Sequence, residues 1–162
     1  NEGGVIALEG SFLLYFLVNE GLSGIKRLMP QKVSREKRQA WEELSEAAGR
    51  VKPVHAEHLA YLRGLPDSSV DVIYFDPMFR DTLAATSPSI RPLKNLSIPA
   101  PLDPETVREA CRVARRRVVL KERNHSGEFE RLGFQMLEGG KYSHIRFGSI
   151  DIDTGGHRKC SH

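Results

Sequence analysis

The sequence contains little cysteine and no long apolar run. Only 2 of its 162 residues are cysteine, Cys111 and Cys160, so neither a disulfide framework nor a zinc site is indicated. The most apolar run, residues 12–18, is far too short to span a bilayer and lacks the basic flank of a secretion signal. No G-x-G-x-x-G occurs, which disfavours a nicotinamide dehydrogenase. These absences predict a cytoplasmic protein that has no contact with a membrane.

The composition is that of an ordinary globular chain. Hydrophobic residues make up 40% and charged residues 28%, and the formal net charge is +3. This charge is compatible with a polyanionic partner but does not identify one. We expect one domain over residues 1–153, followed by a disordered tail at 154–162. The tail contains His157, Cys160 and His162, but their spacing and terminal position predict no metal site.

Short apolar runs alternate with helical patterns along the chain. This alternation predicts an α/β fold with a mostly parallel sheet and a terminal antiparallel hairpin. Four prolines and no sustained period predict a long loop at 80–102. A basic cluster at residues 112–117 is expected at the end of a helix, where cations complement the helix dipole. The expected strands are 4–9, 51–55, 70–75, 117–121, 134–137 and 142–152, and the expected main helices are 11–26, 34–49 and 103–115.

Polar residues follow several of these strands, where parallel sheets bind ligands. Glu9 either accepts hydrogen bonds from a ribose or stabilises the start of the next helix, and the sequence leaves both interpretations open. The segment His55-Ala56-Glu57 either lines an adenine pocket or ends a strand with a solvated carboxylate.

The segment Asp76-Pro77-Met78-Phe79 ends the third strand abruptly. Pro77 restricts the backbone around Asp76, so the carboxylate and a neighbouring carbonyl can orient a flat amine. Phe79 can then stack on the base that carries this amine. The alternative is that Asp76 caps a turn and Phe79 packs in the core.

These segments resemble a known family. The sequences "DVIYFDPMF", "VIALEGS", "VHAEHL", "RVVLKERN" and "YSHIRFGSID" are similar to class I S-adenosylmethionine-dependent methyltransferases. They are most similar to the small-subunit ribosomal RNA (guanine-N2)-methyltransferase J family, over about residues 4–151. Met in the third place of the Asp-Pro-Met-Phe box is the discriminating feature, because most amine methyltransferases have a second proline there.

The resemblance implies a Rossmann-like methyltransferase sheet, S-adenosyl-L-methionine as cofactor and RNA as partner. It assigns cofactor binding to Glu9, Gly10, Ser11, His55, Ala56, Glu57 and Asp76. It assigns catalysis to Asp76, Pro77 and Phe79. Contacts with the substrate or RNA are expected for Met78 and Lys121. They are also expected for Arg80, Arg91 and Lys94, because these residues lie in or beside the loop that would overhang the site, where phosphates of a bound strand would pass.

The chain departs from this family in two respects. The family's glycine-rich cofactor loop follows a strand that would precede Gly4, so we expect the first strand and this loop to be missing from the sequence. In the methyltransferase sheet order, 3-2-1-4-5-7-6, the missing strand is central. The loop after Phe79 also lacks the family's Pro-His and basic run.

The leading hypothesis is an N-methyltransferase that modifies a guanine exocyclic amine in ribosomal RNA. One alternative is methylation of another planar amine, in DNA adenine or in a small molecule. A second alternative is a non-catalytic module that binds the cofactor or RNA. No metal is expected, and the sequence leaves open whether the protein is a dimer.

Overall fold

The computed structural model describes residues 3–28, 32–77, 101–140 and 143–152. Strands and helices alternate through most of this part of the chain. The strands are Val5–Glu9 (β1), Val51–His55 (β2), Val70–Phe75 (β3), Ala114–Arg123 (β4), Gln135–Met136 (β5) and Ile145–Asp151 (β6). The helices are Phe12–Arg27 (α1), Arg35–Gly49 (α2), His58–Arg63 (α3), Pro104–Val113 (α4) and Glu128–Arg131 (α5).

The chain divides into two compact units. The N-terminal unit contains the described residues up to His58, and the C-terminal unit contains those from Leu59 onward. In the N-terminal unit, β1 pairs in parallel with β2, from Val5 opposite Val51 to Glu9 opposite His55. Parallel pairing requires a crossover, which α1 and α2 supply.

Two polar contacts organise the helices of the N-terminal unit. The Ser34 hydroxyl accepts a hydrogen bond from the Lys37 amide and so caps α2. The Trp41 indole donates to the carbonyl of Ile25 at 3.1 Å, which ties α2 to α1. Among the described residues of this unit, Ala48 alone is buried.

The C-terminal unit has a four-stranded sheet in the order β3-β4-β6-β5. The β3–β4 pair is parallel, whereas β6 runs antiparallel to both β4 and β5. One face of this sheet forms the core, where Val118 and Leu120 of β4 are almost fully buried. Helix α4 covers that core with an apolar face that includes Val107, Ala110 and Val113.

Helix α4 begins at the residues that the sequence predicts. Asp103 occupies the N-cap position, and its carboxylate accepts from the Glu105 amide at 2.7 Å. Pro104 is the first helical residue, where its missing N–H breaks no helical bond.

The structure confirms the α/β prediction and the terminal antiparallel strands. The four described pairings are evenly divided, two parallel and two antiparallel. Strands at 51–55 and 70–75 have the predicted bounds. The tail at 154–162 and nearly all of the predicted long loop lie outside the described residues.

The prediction for the basic cluster holds for Arg112, which lies in the last turn of α4, but is wrong for the three arginines that follow. Helix α4 ends at Val113, and Ala114 already has extended backbone angles. Arg115, Arg116 and Arg117 therefore belong to β4 and do not complement a helix dipole. The physical reason is pairing with β3, since β-branched residues follow in β4 and Val118 and Val119 pair with Ile73 and Tyr74.

Candidate functional site

The first group of candidate residues lies at the carboxyl ends of β1 and β2. Glu9 and His55 are register partners, so the parallel sheet places them side by side. The Glu9 carboxylate accepts a hydrogen bond from the Ser11 amide at 2.8 Å, immediately before α1. The carbonyl of Glu9 also accepts from the Ala56 amide at 3.2 Å. Stabilisation of the helix start is thus one role that Glu9 has in the structure.

One oxygen of the Glu9 carboxylate is used in this way. The contact with Ser11 involves Oε1, and in the described part of the chain no hydrogen bond to Oε2 is found. A carboxylate has lone pairs on both oxygens. Glu9 can therefore begin the helix and still accept a hydrogen bond from a ligand.

His55 lies in a small aromatic cluster with Phe12 and Tyr15. Its ring is 5.5 Å from that of Phe12 in an edge-on arrangement and 5.7 Å from that of Tyr15. The His55 Nε2 lies 3.2 Å from the Gly10 carbonyl oxygen, which can only accept, so Nε2 donates in this contact. Phe12 remains 63% exposed, so the cluster offers aromatic surface to a flat ligand.

Glu57, at the end of the predicted adenine segment, pairs with the next residue, His58. Its Oε1 lies 3.3 Å from His58 Nδ1, and both side chains are about half exposed. The Ala56 amide is held by Glu9, so the backbone of the predicted adenine segment is fixed at its centre.

The second group of candidate residues lies at the carboxyl ends of β3 and β4, in the C-terminal unit. Phe75 pairs with Leu120, which makes Asp76 and Lys121 the next residues on these neighbouring strands. Lys121 Nζ donates to Asp76 Oδ2 at 2.9 Å. The sequence resemblance gave Lys121 a place in the substrate site, and the structure brings its side chain to the central residue of the Asp-Pro-Met-Phe box.

The contact with Asp76 also affects the ionisation of Lys121. The hydrogen bond to Asp76 raises the pKa of Lys121, and this effect exceeds the opposing effect of partial burial. Lys121 therefore stays protonated at neutral pH, with a charge that the Asp76 carboxylate balances.

Tyr74 is a member of this site that the sequence reasoning missed. Partial burial raises the pKa of the Tyr74 hydroxyl, the Asp76 charge adds to the rise, and Lys121 opposes it. Alternation along β3 places residues 74 and 76 on one face, and this pattern was the available signal. Tyr74 is 51% exposed, so the site is open to solvent on that face.

The predicted residues Met78, Phe79, Arg80, Arg91 and Lys94 lie outside the described residues, and their assignments stay predictions. Gly10 and Ser11 lie beside Glu9, and Pro77 directly follows Asp76. The structure thus forms two groups, one around Glu9 and His55 and one around Asp76 and Lys121, which belong to different compact units.

In the described ranges, no group of three or more His, Cys, Asp or Glu side chains is arranged to hold a metal ion. None of the helices in the described part of the chain is long and apolar enough to cross a membrane.

The fold and the two groups define a mixed α/β protein with polar and aromatic residues at the carboxyl ends of parallel strands. No protein-family model matches the chain. The chain is 35% identical over 136 residues to the uncharacterized protein YpiP of Bacillus subtilis (strain 168). The match covers 84% of this chain and 48% of YpiP, so the chain spans about half the length of this curated relative.

Proposed function

We propose that the protein is an S-adenosylmethionine-dependent N-methyltransferase that modifies a guanine exocyclic amine in ribosomal RNA. The observation that carries this proposal is the strand order. When the first strand is removed from the order 3-2-1-4-5-7-6, the runs 3-2 and 4-5-7-6 remain. The two sheets of this protein have the same order: β2-β1 corresponds to the run 3-2, and β3-β4-β6-β5 corresponds to the run 4-5-7-6.

The position of β6 separates this order from that of dinucleotide-binding proteins. In the order 3-2-1-4-5-6 the last strands follow one another across the sheet. Here β6 lies between β4 and β5 and is antiparallel to both. The exchange of the last two strands favours the methyltransferase order.

The residues around Glu9 suit a nucleoside cofactor. A carboxylate at the end of β1 can accept from ribose hydroxyls, and the cluster of Phe12, Tyr15 and His55 offers flat surface for an adenine. S-adenosylmethionine would supply a methyl group on a sulfonium sulfur, which takes the electron pair of the broken C–S bond.

Asp76 is the proposed acceptor for the substrate amine. The lone pair of a nucleobase amine is delocalised into the ring, so orientation of the amine toward the methyl group is the main requirement. The Asp76 carboxylate and a backbone carbonyl of the Asp-Pro-Met-Phe box would accept its two N–H bonds. The amine becomes strongly acidic after the methyl group arrives and then loses its proton, so Asp76 need not act as a strong base.

RNA fits this site best when the target guanine is unpaired or flipped, because the amine is inaccessible in a stacked helix. We also propose that the reaction takes place in the cytoplasm, where ribosomal RNA is the partner.

The test is transfer of a tritiated methyl group by the complete protein to stripped ribosomal RNA, to DNA and to a small-molecule pool. We expect incorporation into RNA, and D76A should lower it about 100-fold or more. The matched control is D71A. Asp71 lies on the same strand, and its carboxylate likewise pairs with a basic side chain, that of Arg115. D71A should retain near-normal incorporation.

The outcomes separate the alternatives. Incorporation only into DNA or small molecules would reject the RNA substrate. Full activity of D76A would reject the mechanism. If no pool is methylated but calorimetry shows cofactor binding by the complete protein, the non-catalytic module is the better reading.

A further inference from the structure

The Asp76–Lys121 pair places a hydrogen-bond acceptor directly beside a donor. The two residues follow Phe75 and Leu120, which are partners in the parallel β3–β4 ladder. Side chains opposite each other on neighbouring strands lie on one face of the sheet. The separation of 2.9 Å between Nζ and Oδ2 makes the two groups one polar unit at the strand ends.

Both groups retain hydrogen-bonding capacity beyond this contact. An ammonium has three N–H donors, and a carboxylate has about four lone-pair positions. In the described part of the chain, Asp76 is the hydrogen-bond partner found for Lys121. The side chains of Lys121 and Asp76 are 25% and 43% exposed, so a ligand can reach both of them.

We propose that Asp76 and Lys121 together bind an amidine edge of the substrate base, that is, an amino group next to an unprotonated ring nitrogen. This inference rests on the proposed methyltransferase function and names the substrate edge that the site takes. The Asp76 carboxylate accepts from the amino N–H, and the Lys121 ammonium donates to the ring nitrogen.

The pair selects one edge of guanine over the other. The N2 amine of guanine has a protonated N1 on one side and an unprotonated N3 on the other. The N1 side would direct an N–H at the Lys121 ammonium, which is a donor facing a donor. The N3 side matches the pair, so the site takes the N2/N3 edge.

The same rule defines the substrate class. Adenine and cytosine each have an amidine edge, whereas uracil has no amino group and an aliphatic amine has no adjacent ring nitrogen. Lys121 therefore restricts the site to planar amines of this type, and the choice among the bases belongs to other contacts.

The test exchanges single ring nitrogens in the substrate. The complete protein first methylates ribosomal RNA, and the modified guanosine is mapped. Synthetic RNA oligonucleotides then carry guanosine, 3-deazaguanosine or 7-deazaguanosine at that position. The 7-deaza oligonucleotide is the matched control, because its replaced nitrogen is far from the amine.

We expect the 3-deaza substitution to lower kcat/KM on the order of tenfold or more, since it removes a hydrogen bond from a charged donor. The 7-deaza substitution should have little effect. K121M should show a similar loss with guanosine and no further loss with 3-deazaguanosine, whereas K121R should retain part of the activity. The affinities of the proteins for the oligonucleotides, measured by fluorescence anisotropy, should follow the same ranking as kcat/KM. Thermal unfolding checks that K121M is folded.

Each outcome decides between the two proposals. Equal effects of the two deaza substitutions, or independent losses from K121M and 3-deazaguanosine, would overturn the amidine-edge proposal and leave the methyltransferase proposal intact. If none of the pools is methylated, the methyltransferase proposal and the amidine-edge proposal are both overturned. Transfer to adenine with the same dependence on N1, tested with 1-deazaadenosine, would support the amidine edge and reject guanine.

Discussion

Gly148 shows how closely one residue can be constrained by the core of the C-terminal unit. It lies in β6, and a Cβ added there would be 2.6 Å from Phe129 Cδ1 and 2.9 Å from Phe134 Cβ. Both distances are shorter than those of real Cβ contacts. The Phe134 Cβ is attached directly to the backbone, so rotation of a ring cannot relieve that contact.

We predict that G148A lowers the free energy of unfolding by about 1–3 kcal/mol, the usual cost of overpacking a well-packed core. Urea denaturation followed by circular dichroism measures this change. The matched control is G140A, because a Cβ at Gly140 would meet nothing within 4 Å. Equal stability of the two variants would show that the core yields more easily than the structure indicates.

Asp76 and Lys121 could each be predicted as site residues from the sequence, but their contact could not. The strand pattern and the Asp-Pro-Met-Phe box identified Asp76, and the family resemblance identified Lys121. Their contact depends on register, which shifts between Val70 and Val72: Val70 pairs with Ala114, but Val72 pairs with Arg117. Between these two pairs β4 has one residue more than β3. Without this extra residue, Asp76 would lie opposite an apolar residue of β4. A local irregularity of this kind has no clear sequence signal.

Arg112 connects three elements of the C-terminal unit. It lies in the last turn of α4, and its guanidinium donates to the carbonyls of Leu62 and Leu65 at 2.9 Å each. It also pairs with Glu109 at 2.8 Å and with Asp67 at 2.7 Å. The contacts join α4 to the end of α3 and to the turn before β3.

We predict that R112M lowers the free energy of unfolding more than a surface substitution does, because two carbonyls and two carboxylates lose a charged donor together. R112K should recover only part of this loss, since an ammonium cannot reproduce the planar fork. Thermal and urea unfolding measure both variants. The control is R108M on the exposed side of the same helix. If R112M matches R108M in stability, Arg112 contributes nothing as a connector.

The elements themselves were largely predictable, and their connections were not. Ser34 and Asp103 are N-caps with local partners three and two residues away, and both were read from sequence. Arg112 bonds a carbonyl 50 residues earlier, which no local pattern encodes. The predicted end of α4 at residue 115 was wrong for the same reason. Local helix propensity extended the helix beyond Val113, whereas the distant pairing of β4 with β3 makes the following residues part of a strand.

At the scale of the whole molecule, the two compact units differ in how much apolar surface they bury. The C-terminal unit contains the cluster of buried core residues, including Val118 and Leu120. Of the described residues in the N-terminal unit, only Ala48 is buried, and Val5 and Ile6 of β1 are about half exposed. Burial of apolar surface is the main source of stability, so the units should differ in local stability.

We therefore predict that backbone amides of β1 and β2 exchange with deuterium much faster than those of β4 in the 162-residue chain. Amides in a weakly buried two-stranded sheet open locally, whereas those of β4 require opening of the core that contains Val118 and Leu120. Hydrogen exchange followed by mass spectrometry on peptides from residues 5–9, 51–55 and 114–123 measures the difference. Equal protection of the three peptides would contradict the prediction, because it would require β1 and β2 to open only with the C-terminal core.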